Sequence, residues 1–234
     1  MSGALRVVAA TASRALADAV ATGAGSGLAS SQVERFPDGE LRPAVDGAMG
    51  GVDRLVDPHT TALEAMFPIP VETLTAVPTL ADRLGPSIPG DAVVVAPDVG
   101  GVKLAEAYAS RLGCPVAVVR KTRLSGEAVR AEELVGDVKG RPAIILDEMI
   151  STGATIEAAA RMLIDGDAIP DITVVATHGL FVGDAAGRLA NLPLRRLVVT
   201  DGLDLVGDTR PPPELCSIAP LLADAIGRLH RRHR

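Results

Sequence analysis

Short, unbroken aliphatic runs, each followed by a helical pattern, constrain this chain more than any other feature. Ala92-Val-Val-Val-Ala96, Val116–Val119, Pro142–Leu146, Ile172–Thr177 and Leu197–Thr200 read as strands. Helical patterns cover Lys103–Leu112, Thr155–Leu163 and Asp184–Leu192, and Ile218–His230 forms a terminal helix. A strand that is apolar on both sides needs cover on both faces. The alternation therefore predicts an α/β fold, a mainly parallel sheet flanked by helices. In such sheets ligands bind beyond the carboxyl ends of the strands, so the residues just after each strand carry the functional information.

The first part of the chain is less regular. Leu5–Ala10 reads as a strand, Arg14–Val20 as a helix and the Gly/Ser-rich segment Gly23–Ser31 as a loop. Phe36-Pro-Asp-Gly-Glu40 is a turn signal, and Ala44–Gly51 holds no convincing element. Val52–Val56 fits a strand, Thr60–Phe67 and Val77–Leu84 fit helices, and Pro86–Gly90 fits a linker. Pro211-Pro-Pro213 breaks the chain before its last helix.

Composition excludes several classes of partner. The 234 residues suffice for one large domain or two small ones. A formal charge of -6 argues against a polyanion, and with aromatics at 2% almost nothing is left to stack on bases, so no nucleic-acid partner is expected. Cys114 and Cys216 have no Cys or His at zinc-ligand spacing and are read as reduced, buried thiols. The absence of a basic region followed by a long apolar run predicts no signal peptide, no membrane span and a cytoplasmic location.

The strongest motif is Asp147-Glu-Met-Ile-Ser-Thr-Gly-Ala-Thr155. Ser151, Thr152, Gly153, Ala154 and Thr155 have small side chains, so backbone N–H groups can close round an anion at a helix start. Acids do not favour a phosphate beside them, but Asp147 and Glu148 suit sugar hydroxyls or a phosphate-bound cation. The loop therefore fits a sugar phosphate. An ordinary turn with capping hydroxyls would leave the paired acids unexplained. Asp98-Val-Gly-Gly101 also follows a strand. Lys121-Thr-Arg123 opens a long polar stretch reaching Glu133, which on its residues alone fits a phosphate-stabilising loop and a solvated basic loop equally.

Ile144–Thr155 resembles the phosphoribosyl pyrophosphate (PRPP) loop of type I phosphoribosyltransferases and PRPP synthetases. Further segments narrow the resemblance to the ribose-phosphate diphosphokinase (PRPP synthetase) family. They are Phe36–Glu40, Val95-Ala-Pro-Asp-Val-Gly-Gly101, Lys121-Thr-Arg123, Val135–Gly140, Ala176-Thr-His-Gly-Leu180 and Ile218–Ile226, in the family's order. Asp57-Pro-His59 is similar to the family's Asp-Leu-His, with Pro58 as a departure.

The resemblance implies a fold like that of type I phosphoribosyltransferases, with a truncated second domain of the same kind. Residues 1–72 would form the truncated N-terminal domain, 73–212 the domain with the PRPP loop, and 213–234 the terminal helix. Ser151–Thr155 would bind the 5-phosphate, with Asp147 and Glu148 facing the ribose hydroxyls; the family usually has two Asp where this chain has Asp147 and Glu148. Lys121 and Arg123 would be catalytic, with Thr122 in place of the family's middle Arg. Phe36, Asp38, Glu40 and His59 would bind ATP, and His59 and Asp98 would hold Mg²⁺. Implied ligands are ribose 5-phosphate, ATP or PRPP. Implied partners are further copies of the chain, in a homo-oligomer, or a full-length PRPP synthetase.

Between Glu40 and Asp57 only a short connection stands where the family has a large block that contacts ATP. Three activities follow: diphosphate transfer from ATP to ribose 5-phosphate, a phosphoribosyltransferase that consumes PRPP, or a non-catalytic relative.

Overall fold

The computed structural model describes residues 6–8, 14–29, 31–35, 41–45, 53–58, 71–124, 129–205 and 208–232. The chain divides into two units, Met1–Leu74 with Asp201–Asp204 and Ser217–Arg234, and Thr75–Thr200 with Leu205–Cys216.

In the first unit, β1 (Arg6–Val8) leads to α1 (Arg14–Gly23) and returns parallel to itself as β2 (Gly27–Ala29). β3 (Ser31–Arg35) pairs antiparallel with β4 (Leu41–Val45), and β5 (Asp53–Val56) pairs parallel with β6 (Val71–Leu74). Two expectations are corrected here. The expected loop Gly23–Ser31 contains β2 and the start of β3, and Ala44 and Val45, expected to lie in no element, end β4. Gly and Ser give weak strand signals alone, and pairing with a neighbour overrides them.

The second unit holds the helical segment α2 (Val77–Leu84), β7 (Val93–Ala96), α3 (Val102–Leu112), β8 (Val116–Leu124), β9 (Val129–Val135), β10 (Ala143–Ile150), α4 (Ala154–Asp165), β11 (Ile172–Gly179), α5 (Ala185–Ala190), β12 (Leu194–Thr200) and β13 (Glu214–Cys216). Its strands form one seven-stranded sheet ordered β13-β12-β11-β10-β7-β8-β9. Six are parallel, and β9 alone runs antiparallel to its neighbour β8, so the expected mainly parallel α/β sheet is found. Every residue of β7 is buried, and Val93, Val95, Ile145, Val174, Leu197 and Val199 join α4's Ile156 and Leu163 in one core. Aliphatic side chains make up nearly all of this core, with Phe181 its one aromatic.

Three further corrections concern this unit. The polar stretch from Lys121 to Glu133, read as a loop, is an antiparallel hairpin: β8 outruns its pairing with β7 at Val118 and pairs with β9 from Val118↔Val135 to Leu124↔Val129. Glu214–Cys216, grouped with the terminal helix, adds an edge strand through Val198↔Glu214. Cys114 is half-buried, just past the left-handed Gly113 that ends α3, and only Cys216 is buried; both are free thiols. Burial still raises the Cys114 thiol above its ordinary range.

Arg196 locks the edge strand, with Nε and Nη2 each 2.8 Å from Glu214, which holds the Glu214 carboxyl below its ordinary range. The terminal helix α6 (Ala219–Arg232) packs against α1 in the first unit. There Arg54 joins the Glu72 carboxylate at 2.9 Å and donates to the Ala225 carbonyl at 3.5 Å. No helix among the described residues is long and apolar enough to cross a membrane.

Candidate functional site

Chain order and sheet order part company at β7. The next strand, β8, lies on one side of it, and β10 lies on the other. Crossovers leaving in opposite directions open a crevice beyond the carboxyl ends of β7 and β10, the expected place for a ligand. Asp98 follows β7, and Asp147 and Glu148 stand near the end of β10. The topology thus brings together two acid-bearing segments almost fifty residues apart.

Each acid is held by local backbone. Asp98 Oδ1 accepts the Gly101 N–H at 3.0 Å, which shapes the turn into α3. Asp147 Oδ1 accepts the Met149 N–H at 3.5 Å. Burial pushes the Asp147 carboxyl up to about 6, and repulsion from Glu148 and Asp98 adds to the rise, against backbone N–H groups of Met149 and Glu148 that lower it. A buried carboxyl with two more acids raising its pKa suits a ligand bringing hydroxyl donors or positive charge.

The loop after the acids turns sharply into a helix. β10 runs on to Ile150, and Gly153, buried at φ +74°, turns the chain into α4. An L side chain rarely adopts that φ, which explains glycine here. The helix starts without a side-chain cap at Gly153, an arrangement in which the first amides can face an anion. Thr152 and Ala154 are exposed, while Ser151 and Thr155 are half-buried. Glu157 in the first turn does not reach back to those amides. Its Oε1 takes Arg161 at 2.5 Å and its Oε2 takes Arg188 at 2.7 Å. The Glu157/Arg161 spacing of four is readable in the sequence, but Arg188 comes from another helix and was not.

The remaining candidates are placed less closely. Lys121 and Arg123 lie on β8, beyond the point where β8 stops pairing with β7. Phe36, Asp38, Glu40 and His59 lie outside the described residues. Among the described residues no group of three or more His, Cys, Asp or Glu side chains is set to hold a metal ion.

Residues 86–179 match the phosphoribosyl transferase domain family. The chain is 39% identical over 176 residues to a ribose-phosphate pyrophosphokinase of Aquifex aeolicus, and 42% identical over 182 residues to one of Streptomyces avermitilis. Each comparison covers 75% of this chain and 56% of the relative, so the chain spans little more than half the length of these relatives. The crystal structure of phosphoribosylpyrophosphate synthetase from Mycobacterium smegmatis superposes with a TM-score of 0.83 at 27% identity, over 98% of this chain and 100% of that one. On these likenesses of sequence and fold, the chain belongs to the ribose-phosphate pyrophosphokinase family.

Proposed function

We propose that this chain is a ribose-phosphate diphosphokinase that transfers a diphosphate from ATP to ribose 5-phosphate, making PRPP and AMP. The observation that carries this reading is the acid pair at the end of β10, followed by an uncapped helix start, in the crevice where the sheet order reverses. The amides and hydroxyls from Ser151 to Thr155 hold the 5-phosphate, and Asp147 and Glu148 accept hydrogen bonds from the ribose diol. This fixes the C1 hydroxyl facing the β7 side of the crevice. Its oxygen attacks the β-phosphorus of ATP, the bond from that phosphorus to the α-phosphate's bridging oxygen breaks, and AMP leaves. The hydroxyl proton passes to solvent or a nearby carboxylate. Lys121 and Arg123 neutralise charge on the transferring group.

The residues present fit Mg²⁺ carried in by the phosphates. Such an ion commonly uses one or two protein carboxylates and keeps the rest of its shell for phosphate and water, and Asp98 and Asp147 are close enough to repel each other. Mg²⁺ would supply charge neutralisation on the diphosphate, with Asp98 the leading protein ligand and His59 a second. Phe36, Asp38 and Glu40 would contact ATP, reaching it from a neighbouring copy. This makes the working form a cytoplasmic homo-oligomer, and light scattering at micromolar concentration checks it by a mass above one chain.

Incubation with ribose 5-phosphate, ATP and Mg²⁺ should release AMP in step with PRPP. The short connection between Glu40 and Asp57 favours a second reading, a sugar-phosphate-binding subunit without turnover. Binding of ribose 5-phosphate with no AMP release would select it, and PRPP consumption with a nucleobase would select a phosphoribosyltransferase instead.

A further inference from the structure

The back of the phosphate loop is tied to the turn that follows the next strand. Leu180 and Phe181 both donate their backbone N–H to the Ile150 carbonyl, at 3.0 and 3.1 Å, and Val182 donates to the Ser151 carbonyl at 3.0 Å. In a trans peptide the C=O and the following N–H point in opposite directions. Drawing the carbonyls of Ile150 and Ser151 toward the turn therefore aims the amides of Ser151 and Thr152 away from it. The turn holds an uncommon geometry to do this. Phe181 sits at φ +46°, a left-handed conformation that bulky residues avoid, and its ring is buried. Gly179 makes room for that ring: a Cβ there would lie 2.5 Å from Phe181 Cε2 and 2.9 Å from Cζ. Backbone strain of this kind persists only where the surroundings impose it, and it collects at ligand sites.

We infer that the turn Gly179–Val182 is a rigid brace that aims the Ser151 and Thr152 amides at the 5-phosphate, with Phe181 and Gly179 as positioning residues. The inference rests on the sugar-phosphate reading of the loop. Phosphate then meets four amides, Ser151 and Thr152 from the braced loop and Ala154 and Thr155 from the start of α4, before any side chain takes part. The two added amides cost no reorganisation when the ligand arrives, since the turn has already oriented them.

Amide hydrogen exchange and calorimetry on the whole chain test this. In the wild type without ligand, the amides of Leu180, Phe181 and Val182 should be protected and those of Ser151 and Thr152 open to exchange. Saturation with ribose 5-phosphate should protect Ser151 and Thr152. Gly179→Ala should push the ring aside, speed exchange at 180–182 and weaken ribose 5-phosphate binding roughly ten- to hundredfold, the scale of one lost charge-assisted hydrogen bond. Adding Phe181→Leu, which frees the space, should restore protection at 180–182 and most of the affinity together; affinity regained while 180–182 still exchange fast would overturn the brace. Should Gly179→Ala fail to fold, the wild-type exchange pattern decides alone. Binding that leaves Ser151 and Thr152 unprotected while Ala154 and Thr155 respond overturns the brace and spares the functional reading. A wild type that binds neither ribose 5-phosphate nor PRPP overturns both.

Discussion

Arg188 donates from Nη1 to Oε2 of Glu157 at 2.7 Å, joining α5 to the first turn of α4. With Arg161 on the other oxygen, both carboxylate oxygens are engaged, and a negative charge one turn from the anion loop is neutralised in place. Arg188→Ala should leave Glu157 held only by Arg161, a largely exposed side chain, and cost about 1–2 kcal/mol of stability, between the values for surface and buried pairs. It should also weaken ribose 5-phosphate binding, because the freed carboxylate can turn toward the helix start. Arg188→Ala with Glu157→Gln should recover most of both losses, measured by urea denaturation and calorimetry.

Asp147 gives the fold a pH dependence whose sign follows from its raised pKa. The folded chain holds the proton up to about pH 6, while the unfolded chain releases it near the ordinary 3.8. The stability this group contributes is fully present below 3.8 and is lost as pH rises through about 6. Asp147→Asn should therefore match the wild type near pH 4 and exceed it above pH 6.5, by on the order of 2 kcal/mol after allowance for partial exposure. Urea midpoints for the two proteins across this range check it; parallel curves would refute the assignment.

Thr152→Ala together with Thr155→Ala should remove two hydroxyl donors to the phosphate, each worth roughly 1.5–3 kcal/mol when the acceptor is charged. Calorimetry with ribose 5-phosphate or PRPP is the measurement, and unchanged affinity would sink the loop's role.

Lys121→Ala should lower turnover by roughly 100-fold or more, the scale of one lost electrostatic stabiliser. Ribose 5-phosphate binding should hardly change, since the proposed 5-phosphate site is another loop. Steady-state kinetics and calorimetry on the same variant separate the two effects, and full turnover would make Lys121 a solvated strand residue.

The central sheet was legible because its strands are buried on both sides and so read as plain aliphatic runs, as in Val93–Ala96 and Ala143–Leu146. The phosphate loop was legible because its residue types are chemically odd for a turn. The hairpin of β8 and β9 was not, since charged and polar residues interrupt its apolar ones and its strands pair mainly with each other rather than with the rest of the sheet. β13 was hidden by its three residues and the three prolines before it. Nothing in the sequence around Phe181 signals a left-handed backbone, because phenylalanine has no local preference for one; the surrounding fold imposes it.

The placement of β7 also sets the order in which the site can come into being. It is the first strand of its unit to be synthesised, yet it ends in the interior, with β8 and β9 added on one flank and β10 to β13 on the other. A nascent chain stopped short of Ala143 already carries Asp98, Lys121 and Arg123 but presents β7 with one flank unpaired, a row of valines ready to join any passing strand. Docking of β10 closes that flank and delivers Asp147 through Thr155 in the same event. A ligand held by Asp147 through Thr155, such as the sugar phosphate proposed above, would stabilise only chains that have passed this point and give earlier ones no protection.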